Sequence, residues 1–435
     1  MNRKRIGISA ALLAALLLAA LIGAGTAGRR GAERTEEIGP ADGRDFVRAV
    51  LDYDAGTRTL RGTQTLTLTN RTGAALEEIV LRAYMNGRDD ASVIVSGASI
   101  GGEPVSLTQD GDDPTVLRAA YPWAPGETAE LSFTLRIKHA RAGGAAVIQL
   151  PAPAMWEDGA WREDEYDALA DPSYAAPFDY TVRVDGKTVA QMRGARDASF
   201  ALGADVRMRS KQTGGVRVTA LAQDTATART LLTQTEAALK SLDKIGLSYP
   251  YDALTVVQSE TGREDGLALS GLIALQADGD KETLRRRLTR LIARETFGIL
   301  IENDPWNAPW LSETLASCAE MLAYRALKGT AAYEERLYGE IELSTRLTRP
   351  YGVTVGAGTA HFGGDAEMTQ VLRDQGAAML LGIEQAVGGE TFMEALQIYI
   401  RNNAGGVAAK ENLAAALREA SGSSWDGYLT DGLSF

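Results

Sequence analysis

The spacing of apolar residues changes once along this chain, and the change limits the folds open to it. Before about residue 225, short stretches such as 60–69 show partial alternation of apolar and polar residues and are separated by Gly and Asp clusters, which is typical of strands. Beyond that point, apolar residues recur every three to four positions, as in 282–301, which is typical of amphipathic helices. The sequence therefore predicts an α+β protein whose strands precede its helices.

This change divides the chain into predicted segments. Residues 45–215 are predicted to form an N-terminal antiparallel β-sandwich domain, and residues 216–435 a mostly helical domain that opens with a small sheet. Residues 29–44 are polar and have the composition of a tether. At 435 residues the chain is long enough for two domains that each bury a core.

Individual elements are predicted from the same patterns. The predicted strands are 60–69, 76–84, 131–138 and 254–258, and residues 152–176 are predicted to form a long loop. The predicted helices are 227–245, 282–301, 311–327, 368–387, 391–402 and 410–420.

Residues 1–28 have the features of a signal peptide or a transmembrane anchor. Arg3, Lys4 and Arg5 precede 23 uncharged residues, 6–28, a length that spans a bilayer. Basic residues before an apolar run also describe a secretory signal, and residues 25–27 offer small side chains for cleavage. We favour a retained single-pass anchor in the cell membrane with the following domains outside the cytoplasm. The alternative is secretion after signal cleavage.

Charge and residue counts exclude several classes of function. With 45 basic and 57 acidic residues the net charge is −12, so we expect no nucleic-acid partner. Cys318 is the only cysteine, which excludes an internal disulfide framework. His139 and His361 are the only histidines, so no helix of this chain can carry a pair of histidine metal ligands.

Several segments resemble one known family. They are 60–62, the Tyr-Pro-Tyr of 249–251 with the Val-Val strand after it, 303–316, and the Gln-Gly-Ala of 375–377. In order and spacing they are similar to the membrane alanyl aminopeptidase (aminopeptidase N-like) family of zinc metallopeptidases. The resemblance implies a thermolysin-like helical domain after the β-domain, a zinc ion and peptidase activity.

The family's zinc site is not preserved in this sequence. The family binds zinc through two His at i and i+4 on one helix and a Glu from the next helix, with a catalytic Glu between the two His. By the resemblance these positions fall on Arg290, Arg294, Glu313 and, for the catalytic base, Leu291. Only Glu313 is retained. An Arg guanidinium cannot ligate a cation and a Leu cannot accept a proton, so we expect no catalytic residue and no zinc.

The substrate-binding positions implied by the resemblance have also changed. The segment that reads a peptide's free amine in the family corresponds to Gly266, Leu267 and Ala268, and its carboxylate is missing. Near Arg373 the family's transition-state tyrosine is missing as well. These four residues mark a vestigial substrate cleft.

Together these positions predict a pseudo-peptidase that binds a peptide or a protein. In place of zinc we predict an ion pair of Arg290 and Arg294 with Glu313, since residues four apart share a helix face. Residues 281–295 carry six basic and two acidic side chains, so a solvated basic helix is the alternative. Two other functions stay open: an active zinc aminopeptidase with a non-standard metal site, for example Glu313 with His361, and a purely structural or interaction module of a membrane complex.

Overall fold

Strict alternation along single strands builds the first half of the molecule. Along the 12 residues of Thr128–His139 every second side chain is buried, so this strand turns one face to a core and the other to solvent. The structure is a computed structural model that describes residues 37–41, 43–139, 144–170, 176–203, 205–342 and 352–434. The predicted anchor, 1–28, and most of the predicted tether, 29–44, lie outside the described residues.

Strands dominate as far as residue 222. They are β1 (Asp45–Asp54), β2 (Thr59–Thr69), β3 (Leu76–Arg82), β4 (Ala91–Ile100), β5 (Glu103–Pro104), β6 (Leu107–Gln109), β7 (Val116–Trp123), β8 (Thr128–His139), β9 (Ala146–Gln149), β10 (Ala152–Pro153), β11 (Trp156–Glu157), β12 (Ala160–Trp161), β13 (Phe178–Val184), β14 (Lys187–Ala195), β15 (Ser199–Leu202), β16 (Arg207–Thr213) and β17 (Val216–Ala222).

Two sheets enclose the first core. In the described residues, one has seven strands in the order β14-β13-β1-β2-β8-β4-β5, and the other has four in the order β10-β3-β7-β6. Buried side chains of both sheets, such as Leu66, Leu135, Leu81 and Leu117, belong to one apolar cluster, which is the arrangement of a sandwich. One pairing departs from the predicted antiparallel order, because β1 and β13 run parallel. Strands so far apart in sequence are not constrained by a hairpin.

Helices dominate after residue 222. The elements are α1 (Thr225–Lys244), β18 (Ala253–Gln258), β19 (Leu267–Leu269), β20 (Leu272–Leu275), α2 (Lys281–Arg294), α3 (Trp310–Lys328), α4 (Thr330–Arg336), α5 (Asp365–Thr369), α6 (Gly376–Val387), α7 (Gly389–Asn403), α8 (Lys410–Ser421) and α9 (Asp426–Leu433). Single 3₁₀ turns lie at Tyr84–Gly87 and Thr359–His361, and π-helical turns at Glu295–Leu300, Leu337–Glu342 and Gln370–Gln375.

A five-stranded sheet opens the helical half. Its order in the described residues is β16-β17-β18-β20-β19, so β19 lies at one edge. The predicted boundary after residue 215 falls in the turn between β16 and β17, which are paired along their length. The small sheet therefore begins at Arg207.

Local signals explain where the first helices begin and end. The Asp224 side chain accepts hydrogen bonds from the backbone N–H groups of Ala226 and Thr227, which caps the N-terminus of α1. Gly246, with φ 78°, follows its C-terminus. Asp280 caps α2 through the Thr283 N–H. The apolar stripe of α2 runs on through the π-helical turn at Glu295–Leu300, which is why one helix over 282–301 was predicted.

The second core packs the helices against the small sheet. It contains Val218, Leu254, Leu288, Leu315 and Leu380 among many others. Ile38–Phe435 forms one compact unit, within which Arg196 crosses from the sandwich to the helical half. Its guanidinium donates to the carbonyls of Ile299 and Gly406, both at 2.7 Å. None of the helices in the described part of the chain has the length and hydropathy that crossing a bilayer requires.

Candidate functional site

Four elements bring the predicted site residues together. Arg290 and Arg294 lie one turn apart on α2, and Glu313 lies in the first turn of α3, which packs against α2. Arg373 belongs to the π-helical turn before α6. The loop that leads into β19 closes the site with Gly266. All five residues line one small cavity, which we call the central cavity.

Arg294 and Glu313 form an ion pair between α2 and α3. Arg294 Nε lies 2.9 Å from Glu313 Oε1, and the two side chains are 5% and 18% exposed. Little water therefore screens the pair, and each charge depends on the other for its stabilisation. The resemblance implies zinc ligands at both positions, and the structure has an ion pair between them.

Arg290 pairs with a carboxylate that the sequence analysis did not single out. Its partner is Asp265, which also lies 3.3 Å from Arg373 and 4.0 Å from Arg287. Burial and the neighbouring Arg373 guanidinium lower the pKa of Arg290 to about 9, so this group stays charged at pH 7. Glu313 is thus the partner of Arg294, and Asp265 is the principal partner of Arg290.

Asp374 is a second carboxylate that pairs with Arg373, in addition to Asp265. Its Oδ1 lies 3.0 Å from Arg373 Nε. Burial raises the pKa of the Asp374 carboxyl, although Arg373 opposes the shift. Arg373, which the resemblance assigned to the cleft, therefore contacts two carboxylates and belongs to the charge network.

The vestigial cleft residues divide between two environments. Leu267 is half-buried and faces a larger cavity, whereas Ala268 is fully buried in the second core. The reason is the strand period of two, which turns neighbouring side chains to opposite faces. Ala268 is therefore not a cleft residue. Gly266 has φ +118°, and a Cβ there would lie 2.6 Å from the Ala274 carbonyl oxygen and 3.1 Å from Leu291 Cδ1.

The central cavity does not fit a zinc ion. Its volume is about 20 Å³, which holds roughly one water molecule. The buried guanidiniums of Arg290 and Arg294 line it, and their positive charge repels a divalent cation. Leu291, which the resemblance assigns to the position of the catalytic base, is 2% exposed and apolar. In the part of the chain that the structure describes, no three His, Cys, Asp or Glu side chains lie where they could hold a metal ion.

The two histidines lie apart from this cavity. His361 is exposed in a 3₁₀ turn and does not line the central cavity with Glu313. His139 is buried in β8, where its Nε2 lies 3.4 Å from the Tyr53 hydroxyl. Arg290 and Arg294 are 7% and 4% exposed, so the alternative of a solvated basic helix is wrong for these two residues.

Glu295, next to Arg294, was missed by the sequence analysis. Its side chain is fully buried, and its Oε2 accepts hydrogen bonds from the Tyr249 hydroxyl at 2.7 Å and the Gly271 N–H at 2.9 Å. Burial raises the pKa of Glu295 well above its ordinary value despite both hydrogen bonds. Burial therefore favours the neutral carboxyl, and its two hydrogen bonds tie the end of α2 to the small sheet.

Replacing Glu313 with alanine is expected to lower the free energy of unfolding by about 2–3 kcal/mol, because it leaves the buried Arg294 guanidinium without its carboxylate. Urea denaturation followed by tryptophan fluorescence measures the loss. Glu334→Ala, an exposed glutamate on α4, is the control and should change stability by less than about 0.5 kcal/mol. A Glu313→Ala protein as stable as this control would mean that the ion pair contributes nothing.

Comparison with known proteins identifies a family domain in the helical half of the chain. Residues 243–429 match the Peptidase family M1 domain. Aminopeptidase M1-B of Oryza sativa subsp. japonica is 28% identical over 167 residues, which are 37% of this chain and 18% of that protein. The chain thus spans less than a fifth of the curated relative it matches.

Solved structures share the fold over nearly the whole chain. The M1 zinc metallopeptidase from Deinococcus radiodurans has a TM-score of 0.61 at 18% identity, over 90% of this chain and 92% of its own. A mutant of the Deinococcus enzyme bound to a Tyr-ser-ala substrate has a TM-score of 0.60 at 19% identity, over 90% and 94%. The M1 domain, the curated relative and the shared fold agree with the resemblance seen in the sequence. Residues 243–429 thus match the Peptidase family M1 domain, and the chain is similar in sequence to an M1 aminopeptidase and in fold to M1 zinc metallopeptidases.

Proposed function

We propose that this chain is a pseudo-peptidase that neither holds zinc nor hydrolyses peptides. The observation that carries the proposal is the ion pair between Arg294 and Glu313, at two of the positions where the family carries zinc ligands. A carboxylate engaged by a guanidinium is a poor metal ligand. With Leu291 at the base position, no side chain there can take a proton from water.

The retained function that we propose is binding of an extended peptide or protein segment. Its support is a second cavity of about 480 Å³ lined by Leu267 of the edge strand β19. An edge strand offers unpaired backbone groups to an added strand, and the adjoining cavity offers room for side chains. A mutant M1 zinc metallopeptidase from Deinococcus radiodurans is bound to a Tyr-ser-ala substrate. We propose that this chain has kept peptide binding although it has lost catalysis.

We further propose that the protein acts outside the cytoplasm, attached to the cell membrane by residues 6–28. The uncharged length of that segment and the basic residues before it support an anchor. Secretion after signal cleavage is the other outcome. Fractionation of cells that express the chain, with an antibody to residues 426–434, separates the two: an anchored chain sediments with membranes and a cleaved one does not.

Zinc content and hydrolysis together test the loss of catalysis. The purified chain is expected to contain no stoichiometric zinc by elemental analysis and to leave aminoacyl amides intact. The triple variant Arg290→His, Leu291→Glu, Arg294→His supplies the family's donors beside Glu313 and is the matched control for zinc binding. One zinc per wild-type chain, with hydrolysis that a chelator abolishes, would instead make the protein an active metallo-aminopeptidase with a non-standard site.

A further inference from the structure

The cavity beside β19, called here the acidic cleft, carries an excess of negative charge. Arg88 and Arg263 line it together with five carboxylates. These carboxylates are Asp89, Asp90, Asp167, Glu260 and Asp365. The lining therefore bears three more negative than positive charges, so its field favours a cationic ligand.

Both arginines of the acidic cleft are engaged within its wall. Arg88 donates from Nε and Nη2 to the two carboxylate oxygens of Asp90, at 2.9 and 3.0 Å. Arg263 Nη2 donates to the carbonyls of Ala168 and Ala170, at 2.8 and 2.7 Å. These bonds hold the two guanidiniums against the protein. We therefore expect a ligand to contact the carboxylates of Asp89 and Glu260, which lie at exposed positions.

Aromatic side chains complete the lining of the acidic cleft. Tyr84 and Tyr166 both line it. The Tyr166 ring lies so close to Gly87 that a Cβ at residue 87 would come within 2.3 Å of Tyr166 Cγ. Glycine at 87 is therefore what lets the Tyr166 ring pack here. Aromatic rings beside carboxylates suit a Lys or Arg side chain, which gains from both.

We propose that the acidic cleft takes a basic side chain of an extended peptide segment lying along β19. This inference rests on the proposed peptide-binding function and names the chemistry of its partner. The segment needs no free N-terminus. The resemblance implies that residues 266–268 would recognise a peptide's free amine, but they include Leu267 and Ala268 and no carboxylate.

The test compares two blocked heptapeptides, acetylated and amidated, that differ only in carrying three Lys or three Gln at alternate positions. Calorimetry or fluorescence anisotropy with the full chain at low salt is expected to show the Lys peptide binding about fivefold tighter or more. The preference should shrink as the salt concentration rises, because exposed charges are screened.

Matched variants test whether the carboxylates of the acidic cleft cause the preference for the Lys peptide. Asp89→Asn with Glu260→Gln removes two exposed carboxylates of the acidic cleft and is expected to abolish most of the preference for Lys. Glu411→Gln, whose side chain is 74% exposed on α8, is the control and should keep it. Since all three positions are exposed, these variants are expected to fold, and thermal unfolding checks that they do.

The outcomes separate this inference from the function on which it rests. Equal affinity for the two peptides, or a preference that survives loss of Asp89 and Glu260, would overturn the basic-segment inference while peptide binding stands. If neither peptide binds at millimolar concentration, peptide binding itself is overturned, and the inference with it.

Discussion

Replacing Asp265 with alanine is expected to lower the free energy of unfolding by about 3–5 kcal/mol. Asp265 is the partner of Arg290, whose side chain is 9% exposed, and it also lies near Arg373 and Arg287. Without it, these guanidiniums face one another across a site that admits little water. The loss is therefore larger than the removal of one hydrogen bond, because a buried charge is left uncompensated.

Asp278 supplies the control for this experiment. It pairs with Arg287 at 2.6 Å, but its side chain is 65% exposed, so Asp278→Ala should cost less than about 1 kcal/mol. Adding Arg290→Leu to Asp265→Ala is expected to restore part of the loss, because it removes the stranded charge. Urea denaturation of the four proteins measures each step. Equal losses for Asp265→Ala and Asp278→Ala would show that Asp265 does not support a buried charge.

Replacing Glu295 with glutamine is expected to make the protein progressively more stable than the wild type as the pH rises above about 5. Burial raises the pKa of Glu295 well above its ordinary value, so the folded protein keeps a proton that the unfolded chain releases near its ordinary pKa. Glu295 therefore contributes most to the free energy of unfolding of the wild type at acid pH. As the pH rises, this contribution falls by about 1.4 kcal/mol per pH unit until the pKa of Glu295 in the folded protein is reached.

Glutamine keeps the shape of Glu295 and an oxygen that can accept from Tyr249 and Gly271, but it has no proton to lose. The two proteins should thus be about equally stable near pH 4, and the glutamine variant should become increasingly more stable than the wild type as the pH rises toward 7. Denaturation curves at several pH values measure the difference, with Glu411→Gln as an exposed control. A constant difference between pH 4 and pH 8 would mean that Glu295 is ionised in the folded protein.

The features of the site that the sequence predicted are those that depend on local spacing. Arg290 and Arg294 are four residues apart on a helix with a clear apolar stripe, so their shared face followed from the periodicity alone. The resemblance added Glu313, 19 residues after Arg294. The structure brings Glu313 to Arg294, and Leu291, which the resemblance assigns to the family's base position, is buried beside them.

The features of the site that could not be predicted from the sequence depend on contacts between distant segments. Asp265 lies in the loop before β19, and no periodicity relates it to α2. The assignment of Ala268 to the cleft was wrong, because a position in a three-residue strand shows which face it occupies only when the neighbouring strand is known. Glu295 looked like one charge in a basic helix, and only its burial beside Tyr249 and Gly271 raises the pKa of its carboxyl.

Apolar periodicity thus sufficed for the order of the two halves and for most of the helices, whereas the mismatch between this chain and a zinc site stays a prediction from residue chemistry. Each of these follows from the identity of a residue or from its nearest neighbours along the chain. The tertiary structure decided which carboxylate meets which arginine, which side chains line the acidic cleft and which carboxyl group has a raised pKa. Ion pairing and desolvation depend on distance and burial, and both are set by segments that meet only after the chain has folded.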